Sequence, residues 1–225
     1  MLHGAVGAKV RLNHIESALA KKYEVHTLNF SGHGGEPFPD EPFSIELFAN
    51  DVLRYLNRSD IPSIHVIGYS MGGYTAIYLA SRYPDRFKSL FIIGTKFNWT
   101  KETVKVQTGL LDADKISEKL PDYAKELEEI HAPNDWREVL KRTRDMMTQM
   151  GKKNPLKDDD LKNLEIPVLI AMGDRDSSVI IEESVFAYRL LKKGQLLILP
   201  NTPHPVSRLE GKIVLEQFMR FHSTF

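Results

Sequence analysis

Residues 68–72 (GYSMG) have the Gly-x-Ser-x-Gly spacing of a tight turn that can expose a serine hydroxyl. The run before them, residues 63–68, predicts a strand, and residues 71–83 predict a helix that ends before Pro84. Such a turn leaves no room for flanking side chains, so the two glycines let Ser70 project. The start of the following helix brings backbone N–H groups beside that hydroxyl, which favours a developing oxyanion. The pattern predicts a nucleophilic serine, although an ordinary strand-to-helix turn is the alternative.

A serine hydroxyl is a weak nucleophile at neutral pH unless a histidine accepts its proton. The chain holds eight histidines, and His204 lies in the loop that follows the last predicted strand. In the chain order Ser, Asp, His, this is where the base belongs. We therefore predict His204 as the general base, with a solvated loop histidine as the alternative.

The carboxylate that would orient this histidine is expected in the Gly173-Asp174-Arg175-Asp176 loop. The loop follows a predicted strand, so it emerges at the same carboxyl edge of the sheet as Ser70. Asp176 lies deeper in the loop, where its side chain can turn back toward His204. Asp174 follows the strand directly and is better placed to cap the turn or to pair with Arg175. Asp176 is favoured, and Asp174 stays open.

Composition narrows the class of protein. The 225 residues are 42% apolar, enough for a buried core, and 30 basic residues balance 30 acidic ones. Zero net charge does not favour nucleic acid or an anionic membrane as a partner. Without cysteine, thiolate metal sites and cysteine nucleophiles are excluded, and no histidine and carboxylate spacing suggests a metal, so no cofactor is expected. No membrane span or signal peptide is predicted, so we expect a cytoplasmic protein with a small-molecule substrate; the oligomeric state is open.

Strand and helix patterns alternate along most of the chain. This alternation predicts an α/β fold with a mostly parallel sheet and helices on both faces. The predicted strands cover residues 24–30, 63–68, 88–94, 166–173 and 195–200. The predicted helices cover residues 9–22, a segment capped by Ser44, residues 71–83 and 181–192, and a closing segment with Val214 and Phe218.

Residues 99–162 interrupt the alternation. They contain no convincing strand and carry 13 basic and 14 acidic residues, so a helical cap is predicted there. The core domain would comprise residues 1–98 and 163–225. Met146, Met147 and Met150 fall on one helical stripe of the cap. Methionine fills irregular space, so the stripe is a candidate substrate-binding surface for an acyl group, and packing of the cap onto the body is the competing interpretation.

Five motifs in order resemble the α/β-hydrolase superfamily over nearly the whole chain. They are HGAVG at residues 3–7, GHG at 32–34, GYSMGG at 68–73, GDRD at 173–176 and PHP at 203–205. The resemblance implies that the N–H groups of Ala5 and Met71 form the oxyanion hole. It also implies that the helical insertion is a lid over the pocket.

Together these features predict a carboxylesterase-like serine hydrolase. The expected reaction cleaves an ester or related acyl bond of a small, largely apolar substrate through an acyl-enzyme. The alternative is a ligand sensor or partner-binding protein of the same fold with little catalysis.

The start of the chain differs from the family pattern. In the family's sheet, a strand leading into the His-Gly motif lies between the strands that correspond to residues 24–30 and 63–68. Here only Met1 and Leu2 precede His3. Two residues are fewer than the 5 to 6 of an average strand. We therefore expect the natural polypeptide to begin upstream of Met1.

Overall fold

A four-stranded parallel sheet forms the centre of the computed structural model, which describes residues 1–225. The strands follow one another across the sheet in chain order: β1 (Ile64–Tyr69), β2 (Phe87–Ile93), β3 (Val168–Gly173) and β4 (Gly194–Leu199). All of β3 and nearly all of β2 are buried. Such continuous apolar strands are typical of a parallel sheet that is covered on both faces.

Ten α-helices accompany the sheet. They are α1 (Asn13–Leu19), α2 (Ile45–Arg58), α3 (Met71–Ala80), α4 (Lys101–Gly109), α5 (Ala113–Lys119), α6 (Pro121–His131), α7 (Trp136–Lys152), α8 (Asp158–Lys162), α9 (Ile181–Leu190) and α10 (Gly211–His222). None of them is both long and apolar enough to cross a membrane.

The two faces of the sheet bury two separate clusters of apolar side chains. Leu90 and Ile92 of β2 belong to the larger cluster, together with residues of α2 and α3. Phe91, which lies between them, belongs to the other cluster and stacks near Phe218 of α10. Successive side chains of a strand point to opposite faces, so β2 contacts helices on both sides. The predicted α/β architecture is confirmed.

Helix boundaries follow local signals with small differences. The Ser44 side chain accepts a hydrogen bond from the Leu47 N–H at 3.0 Å and caps α2 as predicted. The helix predicted over residues 9–22 begins as a short 3-10 turn and ends earlier, at Leu19. The helix after the serine turn ends at Ala80, three residues before the predicted end.

The strand predicted over residues 24–30 is wrong in extent, because only Leu28 pairs, in a single parallel bridge with Leu2. Leu2 also bridges Gly68 of β1, so it lies between the two segments, where the family pattern expects a strand. Elsewhere in this segment, backbone groups bind side chains in place of a neighbouring strand. The Phe30 N–H, for example, donates to His3 Nε2 at 3.2 Å. A strand needs a neighbour that offers backbone partners at successive positions, and here the neighbouring chain offers them only at Met1, which donates to the His26 carbonyl oxygen, and at Leu2.

Residues 99–162 contain α4 to α8 and no strand. In this segment α4 packs against α7, and α5 packs against α6. The segment lies between β2 and β3 in the chain. It follows the carboxyl end of β2 and leads into the start of β3, the neighbouring strand.

Candidate active site

Ser70 lies between the last residue of β1 and the first residue of α3, in a strained backbone conformation with φ 52° and ψ −115°. Such a conformation costs about 1–3 kcal/mol and persists only where the surroundings hold it. A Cβ on Gly68 would lie 2.6 Å from Gly73 Cα, and one on Gly72 would lie 2.7 Å from the His3 carbonyl oxygen. Both distances are too short for real atoms. The two glycines therefore allow the close packing that keeps Ser70 in this conformation.

A charge-assisted hydrogen bond joins the predicted base to one of the two candidate carboxylates. His204 Nδ1 lies 2.7 Å from Asp176 Oδ2, and the exposed fraction of the Asp176 side chain is only 2%. The second oxygen, Oδ1, accepts the backbone N–H groups of Ser178 and Val179 at 2.8 and 2.9 Å. Asp176 is therefore held on both oxygens, and its orientation toward the imidazole is fixed by its own loop.

Asp174 makes different contacts. Its residue is exposed, and its Oδ1 accepts the Thr202 N–H at 3.2 Å. That bond links the loop after β3 to the loop that carries His204. Asp174 has no hydrogen bond to His204 itself.

One cavity of about 40 Å³ brings most of the predicted residues together. Those that border it are Ala5, Ser70, Met71, Met146, Met147, Met150 and His204. Asp176 lies behind His204 and does not border the cavity. Ser70 and the imidazole oriented by Asp176 therefore border the same small space, although no hydrogen bond joins them in this structure. Proton transfer between them requires that the hydroxyl and Nε2 come within hydrogen-bond distance, which catalytic groups often reach only when substrate is bound.

Two backbone N–H groups adjoin Ser70 at this cavity. The Ala5 N–H donates no backbone hydrogen bond. Met71 is the first residue of α3, so its N–H has no acceptor within the helix. Available donors of this kind can bind an oxyanion that forms at the serine.

Two buried histidines hold the loop that contains Ala5. His3 accepts the Phe30 N–H through Nε2, and His131 of α6 contacts the Val6 carbonyl oxygen through Nε2 at 3.2 Å. His131 Nδ1 accepts the Gly34 N–H at 3.1 Å, so a helix of the inserted segment fastens two loops of the core. Burial lowers the pKa of both histidines, that of His3 to about 4, so they are neutral at pH 7. Sequence reasoning did not assign them this positioning.

The positions of the three methionines of α7 agree with both interpretations of this stripe, a substrate-binding surface and packing onto the body. Met146, Met147 and Met150 are between 4% and 8% exposed, and all three border the cavity. Met146 and Met150 also belong to the larger core cluster. The stripe packs α7 onto the body and lines the cavity with the same side chains.

Three residues that follow β2 also lie at the candidate site, and the sequence analysis did not select them. Gly94 has φ 60°, and a Cβ there would lie 3.3 Å from His204 Cε1 and 3.5 Å from Asp176 Oδ2. Lys96 and Trp99 border the cavity. Their position after a strand, at the carboxyl edge where Ser70 lies, was the available signal.

Comparison with known proteins places the chain in a family. Residues 1–126 match the α/β hydrolase fold family, and the chain belongs to it. It is 24% identical over 225 residues to the pimeloyl-[acyl-carrier protein] methyl ester esterase of Neisseria meningitidis serogroup A, an alignment that covers 91% of this chain and 70% of that protein. Serine hydrolase BPHL of Mus musculus is 24% identical over 198 residues, covering 84% of this chain and 66% of that protein.

Solved structures agree on the fold. The enol-lactonase from Burkholderia xenovorans LB400 superposes with a TM-score of 0.77 at 20% identity, covering 99% of this chain and 89% of that one. A hydrolase from Pseudomonas aeruginosa PA01 superposes with a TM-score of 0.78 at 16% identity, covering 98% and 88%. At these identities the likeness establishes the α/β hydrolase fold alone.

Proposed function

We propose that this chain is a serine hydrolase that cleaves ester bonds through an acyl-enzyme, with Ser70, His204 and Asp176 as the triad. The observation that carries the proposal is the 2.7 Å hydrogen bond between His204 Nδ1 and Asp176, made by an imidazole that borders the same cavity as Ser70. Membership of the α/β hydrolase fold family supports it. So do relatives that are named as an ester esterase and a serine hydrolase.

The proposed reaction uses each of these groups in turn. Ser70 Oγ attacks the ester carbonyl while His204 Nε2 takes the hydroxyl proton. Asp176 stabilises the imidazolium that forms, and the N–H groups of Ala5 and Met71 bind the oxyanion. The imidazolium then donates its proton to the departing alcohol, which leaves an acyl-enzyme. Water attacks the acyl-enzyme with His204 again as the base, and the imidazolium returns its proton to Ser70 Oγ as the acid is released.

The cavity lining supports a small, largely apolar acyl group as the substrate. Met146, Met147, Met150 and Tyr74 form much of its apolar wall. Its volume of about 40 Å³ is far below the roughly 300–1,000 Å³ of typical ligand pockets. An entering acyl chain must therefore displace side chains, and the unbranched methionines of α7 can change rotamer at low cost.

A fluorophosphonate probe tests the proposed nucleophile directly, because it reacts only with an activated serine. We expect labelling of the wild-type chain, none in Ser70→Ala, and strongly slowed labelling in His204→Ala. Ser223→Ala, an exposed serine at the end of α10, is the matched control and should label like the wild type.

The same samples should hydrolyse p-nitrophenyl esters, with the shorter acyl chains preferred. If Ser70 does not react with the probe and no ester is cleaved, while the protein unfolds cooperatively, the proposal is wrong. The ligand-sensor interpretation of this fold would then be the better one.

A further inference from the structure

A buried ion pair lies at the cavity that contains Ser70. Lys96 Nζ is 3.1 Å from Glu183 Oε2, and the two side chains are 11% and 5% exposed. Lys96 Nζ also donates to the Ser178 carbonyl oxygen at 3.3 Å. An ammonium group has three N–H donors, so the third has no partner within the chain. Because Lys96 borders the cavity, this donor is available to a bound substrate.

A second donor at the same cavity has no acceptor. Trp99 borders the cavity, and its indole Nε1 is enclosed without any hydrogen-bond partner. A buried N–H without an acceptor is unfavourable, and most such groups in proteins are paired. Nearby, Gln107 Nε2 donates one of its two N–H groups to the Ser178 carbonyl oxygen at 3.3 Å. Apart from the backbone N–H groups of Ala5 and Met71 beside Ser70 and the second N–H of Gln107, the unpaired side-chain N–H donors of residues that border the cavity are those of Lys96 and Trp99.

The charge of this region decides which acceptor fits. Lys96 and Glu183 together carry no net charge, and Glu183 Oε1 also accepts the backbone N–H groups of Phe97 and Asn98. A carboxylate bound here would place a second negative charge beside Glu183 in an enclosed, largely apolar space. An uncharged carbonyl oxygen has two lone pairs and can accept both N–H groups without adding charge.

We propose that the cavity selects acyl groups that carry a second, uncharged carbonyl oxygen along the chain, which Lys96 and Trp99 bind through their free N–H groups. This inference rests on the proposed ester cleavage at Ser70 and specifies its substrate class. A plain alkanoyl chain of the same length leaves both donors unpaired. Sites built to hydrogen-bond a substrate group discriminate strongly against analogues that lack it.

The test compares p-nitrophenyl esters that have the same number of carbons. The wild-type chain is assayed with the hexanoate, the 4-oxohexanoate, the 5-oxohexanoate and the monoester of hexanedioic acid, and each kcat/KM is divided by that ester's uncatalysed rate. We expect one of the oxo esters to exceed the hexanoate by about tenfold or more, since two hydrogen bonds are gained, one from a charged donor. The hexanedioic monoester, with its terminal carboxylate, should fall below the hexanoate.

Two variants separate the donors from general packing. Trp99→Phe keeps a ring and removes one N–H, and it should lower the oxo-to-hexanoate ratio about fivefold. Lys96→Met combined with Glu183→Gln removes both charges of the pair without leaving one unpaired. This double variant should lower the oxo-to-hexanoate ratio to the value that the Trp99 N–H supplies by itself. Lys101→Met, an exposed lysine of α4, is the control and should leave the ratio unchanged.

Each outcome has a defined meaning. A wild-type ratio near one, or a high ratio that survives Trp99→Phe, overturns the inference while leaving ester cleavage intact. Preference for the hexanedioic monoester overturns it in favour of carboxylate recognition. Loss of all ester cleavage and of probe labelling at Ser70 overturns the proposed function itself. If the double variant does not fold, Trp99→Phe decides the matter.

Discussion

Replacing Asp176 with asparagine should disable the base while preserving the architecture around it. The Ser178 and Val179 N–H groups bind Oδ1 of Asp176, and the asparagine carbonyl oxygen can keep both bonds. The amide NH₂ then faces His204 Nδ1, where the carboxylate oxygen lay at 2.7 Å. An NH₂ group only donates, so Nδ1 must become the acceptor and the ring proton moves to Nε2. Protonated at Nε2, the neutral imidazole cannot take the proton of Ser70.

The expected loss in kcat is about 10⁴-fold, which corresponds to about 5.5 kcal/mol of activation free energy. KM should change little, because Asp176 does not border the cavity. Asp174→Asn is the matched control in the same loop. Asparagine retains an oxygen for the Thr202 N–H, so its kcat should stay within about fivefold of the wild type.

Steady-state hydrolysis of p-nitrophenyl butyrate measures kcat and KM for both variants, and thermal unfolding checks that each is folded. A larger loss from Asp174→Asn than from Asp176→Asn would refute the assignment of the acid. So would a folded Asp176→Asn protein that keeps more than about a tenth of the wild-type kcat.

Three further outcomes are expected. Ser70→Ala and His204→Ala should each lower kcat by about 10⁴-fold or more in the same assay. The double variant should be little worse, because triad members act as a unit, and additive losses would contradict this. Met147→Ala should shift the preference in a p-nitrophenyl ester series toward longer acyl chains, since this side chain borders the cavity; an unchanged profile with a lower urea midpoint would show that it only packs. The pKa of His3 is lowered to about 4 by burial, so between pH 6.5 and about 4 the unfolded chain binds a proton that the folded chain does not. The free energy of unfolding measured in urea should therefore fall as pH drops through this range, by up to about 3 kcal/mol from this histidine. A His3→Gln chain should show a shallower slope of unfolding free energy against pH. His14→Gln, at an exposed position, is the control and should keep the wild-type slope.

Much of the fold could be predicted because its signals are local. Apolar runs of strand length that alternate with helical spacing specify a parallel sheet with helices on both faces, and β1 to β4 lie close to their predicted positions. Ser44 caps α2 because its side chain reaches an N–H only three residues away. The segment over residues 24–30 shows the limit of this reasoning. Its composition favours a strand, but pairing depends on a distant neighbour, and only Leu28 finds one.

Motif spacing made Ser70 the candidate nucleophile, because a Gly-x-Ser-x-Gly turn between a strand and a helix exposes its serine, and the chain order that accompanies this turn pointed to His204 after the last strand. The sequence also limited the acid to two aspartates of one short loop. It favoured Asp176 because this residue lies deeper in the loop, but it could not show which of the two carboxylates contacts His204.

The tertiary structure determined the contacts between residues that lie far apart in the sequence. The loop after β3 meets the loop after β4 so that Asp176 contacts His204, 28 residues away, and Asp174 contacts the backbone of Thr202. The ion pair of Lys96 and Glu183 joins residues 87 positions apart, and no local pattern marks it. Composition and spacing record which groups are present along a chain, and burial and hydrogen bonding are properties of the packed segments. The sequence by itself therefore determined the fold class and the candidate nucleophile, and packing determined which carboxylate contacts His204 and which donors border the cavity.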